Sequence, residues 1–345
     1  MNNYHTHEDF TYFNVSITNQ QNETFAIVAE STQYNTRPIV RDTTNKVISI
    51  ERINIPTSTI PIFVARLIEP FDPLNPRLIQ KIGLEYNGFL SEFNIKFIST
   101  GTPNTLGYFH VFTYDIYAKM VNETLEECLT DLGTQTALPI GIEAPYFVFN
   151  KESQYFSLVA QKTNYDTDLP NYVKILSNGY FQQKLDGFVF KQQSIVNISP
   201  DNVNLFQYLI FDTKDNTYNT NYYKMTQNYN ILSEWNSLRA IRIKSNLPIN
   251  NEFIPLSYAG GQTNSENILK DFTVNYSEFS SVGRTEIVYA TNDREYLSLI
   301  PHSIITNIYI KVFWIDELGQ SNELKLGVFE TVNIKFLVKD KDMNY

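Results

Sequence analysis

Along much of this chain apolar residues fall at every second position, the signature of a strand with one buried face. Residues 12–17 (YFNVSI) alternate in this way, and residues 25–29 read as a continuation of that strand or its partner. In residues 46–55 the alternation slips once. Ile48 and Ile50 share one face while Ile53 and Ile55 take the other, which predicts a bulge near Arg52. Residues 82–86 and 93–98 read as a strand pair with Asn87-Gly88 as the turn signal. Residues 146–150 and 155–159 read as a hairpin around residues 151–154, and 172–176 and 240–244 as further strands. The last quarter, residues 267–340, holds at least four β-rich segments together with Trp314 and a turn glycine, Gly319.

Helical periodicity is found in one place. Ala118, Val121, Leu125, Cys128, Leu129 and Leu132 recur mostly every third or fourth residue, which predicts a helix over 116–132 with Gly133 as its C-cap. A second, short helix is expected within 179–188. Residues 190–234 are rich in Asn and Tyr and weakly patterned; 69–76, with three prolines, and 257–266 read as loops. The fold class is therefore mainly β: an antiparallel β-sandwich, of which the jelly roll is one common form, with an insertion containing one or two helices. The expected organisation is a flexible arm at 1–10, a β-sandwich from 11–107 and 230–345, and an insertion at 108–229.

Composition agrees with strands. Tyr (23) and Phe (24) are abundant, and aromatic side chains pack well on a pleated surface. The net charge of −10 and thinly spread Lys and Arg argue against direct nucleic-acid binding, which relies on neutralising phosphates. The single cysteine, Cys128, permits no intramolecular disulfide. Neither a signal peptide nor a membrane span is expected from the apolar runs, so the sequons at Asn14, Asn22, Asn122, Asn197 and Asn275 are expected to stay unused.

Chemistry is sparse. His5 and His7 share a strand-like face beside Glu8 and Asp9, but without a second cluster they do not make a metal site. His110 sits among Tyr108, Phe109 and Phe112 and reads as a partly buried histidine. Asp166 with Asp168, and Asp212 with Asp215, read as loop acids. No nucleophile elbow, dinucleotide fingerprint or phosphate loop is present. No catalytic, cofactor-binding or metal-ligating residue is assigned, and no cofactor is expected. Trp235 and Trp314 are the candidates for a sugar platform, with core or interface packing the favoured role for Trp314.

Several blocks, in order, resemble the penton (minor capsid) proteins of virophages and of Polinton-like and related eukaryotic DNA viruses. They are Arg37-Pro38-Ile39-Val40, the run from Val47 through Pro56, the Ile60-Pro61-Ile62-Phe63 corner, and Ala118 to Asn122 early in the helix. Then come Ala144-Pro145-Tyr146, Trp235 to Ile241, Ser245 to Ile249, Asp271-Phe272, Arg294-Glu295-Tyr296, Val312 to Asp316 with Gly319, and Ile334-Lys335-Phe336. The resemblance implies a jelly-roll penton subunit. It implies further that five copies would close an icosahedral vertex, each touching the major capsid protein, and that the insertion would project outward.

Three readings follow. The first is a structural virion protein, a penton forming homopentamers, with itself and the major capsid protein as partners. The alternative is a β-sandwich receptor- or glycan-binding module, which exposed Tyr or Trp in the insertion would favour. A glycan hydrolase comes last, because it needs two carboxylates in one cleft.

Overall fold

The structure is a computed structural model that describes residues 10–19, 25–26, 28–32, 38–66, 80–96, 108–193, 205–229, 235, 237–250, 267–274, 286–290, 295–316, 319 and 321–341. Residues 1–9 of the expected arm at 1–10 and the loops at 69–76 and 257–266 lie outside these residues, while Phe10, the arm's last residue, opens the first strand. The chain divides into two compact units, Met1–Ile60 with Leu238–Tyr345, and Pro61–Ser237. Among the described residues it is mainly β, with antiparallel sheets and few helices.

The first unit opens with β1 (Phe10–Thr18), β2 (Phe25–Ala26), β3 (Val28–Thr32) and β4 (Lys46–Pro56). The second unit contributes β5 (Phe63–Arg66), β6 (Lys81–Tyr86), β7 (Phe89–Asn94), β8 (Tyr108–Val111), α1 (Tyr114–Gln135), β9 (Tyr146–Asn150), β10 (Tyr155–Gln161), α2 (Lys162–Tyr165), β11 (Lys174–Asn178), α3 (Gly179–Lys184), β12 (Phe190–Gln193), β13 (Leu205–Tyr208) and β14 (Tyr222–Thr226). The first unit then resumes with β15 (Leu238–Ser245), β16 (Ile268–Thr273), β17 (Glu286–Ala290), β18 (Leu297–Ser298), β19 (Asn307–Asp316), β20 (Ser321–Glu323), β21 (Lys325–Leu326) and β22 (Thr331–Asp340).

Among the described residues two larger sheets and the strand pair β2-β21 build the first unit. One runs β1-β22-β4-β17, with β18 also on β4; the other runs β16-β15-β19-β20, with β3 also on β19. Residues 25–29 therefore do not pair with β1. β2 pairs with β21, and β3 crosses to β19 in the other sheet. The bulge falls where the slip in phase predicts it. Lys335 faces Arg52 and Phe336 faces Ile50, so Glu51 is the extra residue. Because of that extra residue, Ile48, Ile50 and Ile53 line up opposite Val338, Phe336 and Ile334, alternate residues of one face of β22, and all six are buried. The slip thus marks one continuous buried face, not two half-buried ones. In the second sheet Ile308, Ile310, Val312 and Trp314 alternate as the buried row of β19, and Ile241 and Ile243 face Trp314 and Val312 from β15.

The second unit has a five-stranded sheet, β12-β13-β11-β6-β7, a three-stranded sheet, β14-β10-β9, and the pair β5-β8. Helix α1 packs on β6, β7 and β9. Its buried residues include Ala118, Val121, Leu125, Cys128 and Leu132 of the expected stripe, and Leu129 packs at the margin of the same core. Thr113 caps it, its Oγ1 accepting from Ile116 N at 3.2 Å. Gly133 is not the cap. The helix runs on to Gln135, Thr136 N–H closes on Leu132 O at 3.0 Å, and Asp131 supports the last turn by accepting from Gln135 Nε2 at 2.7 Å. What the missing side chain of Gly133 serves is the approach of Leu138, whose Cδ1 stands 3.3 Å from where a Cβ would lie.

The turn at Asn87-Gly88 has positive φ at both residues, 52° and 83°, as a two-residue type I′ hairpin requires. The returning strand accordingly begins at Phe89, not at 93. Phe89 and Leu90 are exposed, which hid them from a reading based on apolar positions. The hairpin at 146–150 and 155–159 forms as expected, and the short helix forms as α3. The weakly patterned 190–234 contains β12, β13 and β14. The units meet in sequence at 60/61 and 237/238, wider than the expected insertion at 108–229. The cause is pairing: β6 is hydrogen-bonded to β11, which commits residues near 80 to the second unit.

Candidate interaction surfaces

The residues singled out for chemistry scatter. His110 is half-buried, edge-on to Phe112 at 6.2 Å. His302, by contrast, accompanies Thr44, with Nδ1 3.1 Å from the hydroxyl. His5 and His7 lie outside the described residues. Among the described residues, no group of three or more His, Cys, Asp or Glu converges to hold a metal ion.

Two acid loops do converge. Asp166 accepts from the Tyr223 hydroxyl at 2.9 Å, and Thr167 N–H bonds Ile210 O at 2.7 Å, which brings the loop of Asp212 alongside. Burial, the bond to Asp166 and the charges of Asp212 and Asp168 push the Tyr223 phenol up to about 12. The carboxylates here hold a structural tyrosine.

Cys128 is fully buried, its Sγ 3.4 Å from Ile82 O, and burial pushes its thiol up to about 12 from 9.0. We expect no reaction with iodoacetamide in the native protein at pH 8 and full reaction after denaturation, read by mass spectrometry. In the unfolded chain the thiol ionises from 9.0 upward while the folded one stays protonated to about 12. Its ionisation therefore favours unfolding only as pH rises across that interval, and has no effect below it.

Both tryptophans are buried, at 1% and 3% exposure, so neither is a sugar platform. Trp235 lies in a cage of rings: Tyr117 edge-on at 4.5 Å, Phe156 stacked at 5.7 Å, and Tyr114 and Phe63 edge-on at 5.5 and 5.9 Å. The Lys184 ammonium stands 4.9 Å from the Phe63 ring centroid.

Asn122 has a role that sequence marked only as a sequon. Its Nδ2 donates to Phe147 O at 3.0 Å and its Oδ1 accepts from Phe147 N at 2.7 Å, so a helix side chain takes the place of a neighbouring strand along the outer edge of β9. Beside it, α1 and β9 bound an open groove of about 380 Å³ lined by Asp115, Lys119, Glu126 and Val148 among others. Asn122→Ala is expected to destabilise the second unit by about 1–3 kcal/mol, read by denaturant unfolding, because it strips both partners from one backbone residue.

The other candidate surfaces are edges and apolar tips. β1 pairs only with β22 among the described residues. Its nine residues, FTYFNVSIT, carry no charge and no proline, and its register with β22 is unbroken. At the turn before β22, Phe329 is 77% exposed with a φ of 62°, a backbone region that bulky residues seldom occupy.

Buried rows of apolar residues on antiparallel sheets, with edges and apolar tips left at the surface, define a mainly β protein whose notable exposed features are surfaces. The comparisons give it a family: the model of the Sputnik minor capsid protein V18/19 family matches residues 11–340, and the chain belongs to that family. It is a minor capsid protein, a component of the virion and not an enzyme. Protein V18 of Sputnik virophage is 27% identical over 130 residues, 32% of this chain and 75% of that protein. A chain in the cryo-EM structure of the Sputnik virophage matches with a TM-score of 0.75 at 22% identity, covering 98% of this chain and 99% of that one. The crystal structure of the mavirus penton protein matches with a TM-score of 0.64 at 14% identity, covering 96% and 99%. At these identities the two structures speak for the fold.

Proposed function

We propose that this minor capsid protein is a penton subunit, five copies of which close an icosahedral vertex and meet the major capsid protein around it. The strand order carries the reading. Numbered along the chain, the eight principal strands of the first unit are β1, β3, β4, β15, β16, β17, β19 and β22. One sheet places the first, eighth, third and sixth side by side, and the other places the second, seventh, fourth and fifth. That order is the double Greek key of a viral jelly roll. The second unit, Pro61–Ser237, is then an insertion between the third and fourth strands, and we assign it to the outside of the shell. A rotation that closes on itself accounts for five identical, head-to-tail contacts. The edge of β1 that is unpaired among the described residues suits such a contact, since lone proteins guard long edges with charge, proline or bulges.

Light scattering after size exclusion tests this. A mass near five times 40.0 kDa, for the protein alone or mixed with the major capsid protein, is the expected result. A monomer under both conditions counts against the penton. Asn14→Lys, at an exposed position of β1, is expected to lower the assembled fraction while changing stability by less than about 0.5 kcal/mol.

A further inference from the structure

The outer face of the sheet β14-β10-β9 is set apart by its tyrosines. Its inner face sends Phe147, Phe149, Phe156, Leu158, Tyr223 and Met225 into the core of the second unit. On the outer face, Tyr146 of β9 pairs through Val159 of β10 with Lys224 of β14, and Gln161 of β10 pairs with Tyr222 of β14. The loop before β14 folds back over this face. Lys224 N–H donates to Asn216 O at 2.6 Å, and Tyr218, 55% exposed, lies with its ring 5.6 Å from the Lys224 ammonium. Tyr146 is near enough to Tyr218 and Glu143 that both raise its phenol, after burial.

Polar groups border these rings in fixed positions. Tyr222 donates to Glu143 Oε2 at 2.5 Å, and Glu143 N–H donates to Gln161 Oε1 at 2.9 Å. Gln161 Nε2 in turn donates to Gly141 O at 3.1 Å, which anchors the loop carrying Glu143. The second Glu143 oxygen has no hydrogen-bond partner among the described residues, and the Lys224 ammonium has donors to spare. Three tyrosine rings, one carboxylate, one ammonium and a clamped loop are thus gathered on one face.

We propose that this face binds a neutral saccharide, with Tyr146, Tyr218 and Tyr222 against the apolar C–H faces of the sugar and Glu143 and Lys224 bonded to its hydroxyls. Aromatic side chains offer apolar area at low entropic cost and keep a polar tip for hydrogen bonds. One negative and one positive group leave the patch balanced, which suits an uncharged ligand better than an acidic or basic one. A protein partner fits less well, since a specific protein contact buries about 800 Å² per side around an apolar centre, and here Glu143 and Lys224 stand directly against the rings.

The test is a glycan array probed with the purified protein, followed by calorimetric titration with cellohexaose, mannohexaose, xylohexaose and chitohexaose at about millimolar concentration, where weak saccharide binding is measurable. At least one neutral glycan is expected to bind, with Tyr218→Ala and Glu143→Gln each weakening it tenfold or more while the melting temperature of Tyr218→Ala stays put. Binding to none of them overturns the proposal, as does binding that survives Tyr218→Ala. So does a Tyr218→Ala protein that binds no less sugar but changes its oligomeric mass, which marks a protein contact instead. These outcomes do not depend on whether the native mass is that of a pentamer.

Discussion

Trp235→Ala is expected to destabilise the second unit by about 3–5 kcal/mol, the range for truncating a buried aromatic, and to lower its melting by roughly 10 °C. Four rings lie within 5.9 Å of the indole, so the vacated volume has rigid walls and collapses poorly. Among the described residues the buried indole N–H has no hydrogen-bond partner, which offsets part of the loss when it is removed. Trp235→Phe, which keeps a ring and drops that donor, should therefore cost clearly less. Hydrogen exchange checks the location: protection is expected to fall in α1 and β10 and to persist in β19 and β22, which belong to the other unit. Equal loss in both units would mean that the two unfold as one.

Phe336→Ala is expected to do comparable damage to the first unit, again about 3–5 kcal/mol. Phe336 is fully buried in β22, stacked on Phe13 of β1 at 4.9 Å and 15°, and faces Ile50 where the bulge in β4 begins. Removing the ring loosens β1 and β4 together, since β22 lies between them. Exchange protection should fall in β1, β4 and β22, and α1 should keep its own. If the first unit carries the proposed subunit contacts, the assembled mass should disappear at temperatures where wild type retains it. An assembled mass that survives full loss of protection in β1 would place those contacts elsewhere.

Regular alternation was legible wherever one face of a strand is buried, because the side-chain period of a strand is two and burial selects every second residue. That is why β4, β15, β19 and β22 and the hairpin of β9 and β10 could be read directly. Even the slip at 50–53 was informative, since only an inserted residue reconciles it with one buried face. Helix α1 was legible for the same reason at its own period, though its end was not. Gly133 has the composition of a cap, and the contact with Leu138 that explains it is made in space.

Pairing was not legible. Nothing in residues 25–32 says that β3 belongs with β19, more than 270 residues away, because backbone hydrogen bonds are the same for any partner. The division at 60/61 rests on β6 meeting β11, which pattern alone does not announce. Asn122 and the face of Tyr146, Tyr218 and Tyr222 were hidden in the same way. Each is an ordinary polar or aromatic residue until folding brings Phe147, Glu143 and Lys224 beside it.

By itself, then, the sequence determined the class of elements, the faces they bury and the lack of local catalytic motifs, and its ordered blocks already resembled a viral penton. All of these are properties of neighbours along the chain. The tertiary structure alone decided which strands share a sheet, where the inserted unit begins, and which side chains meet on its surface, because those depend on contacts whose partners lie far apart in sequence and are selected by the packing of the whole core.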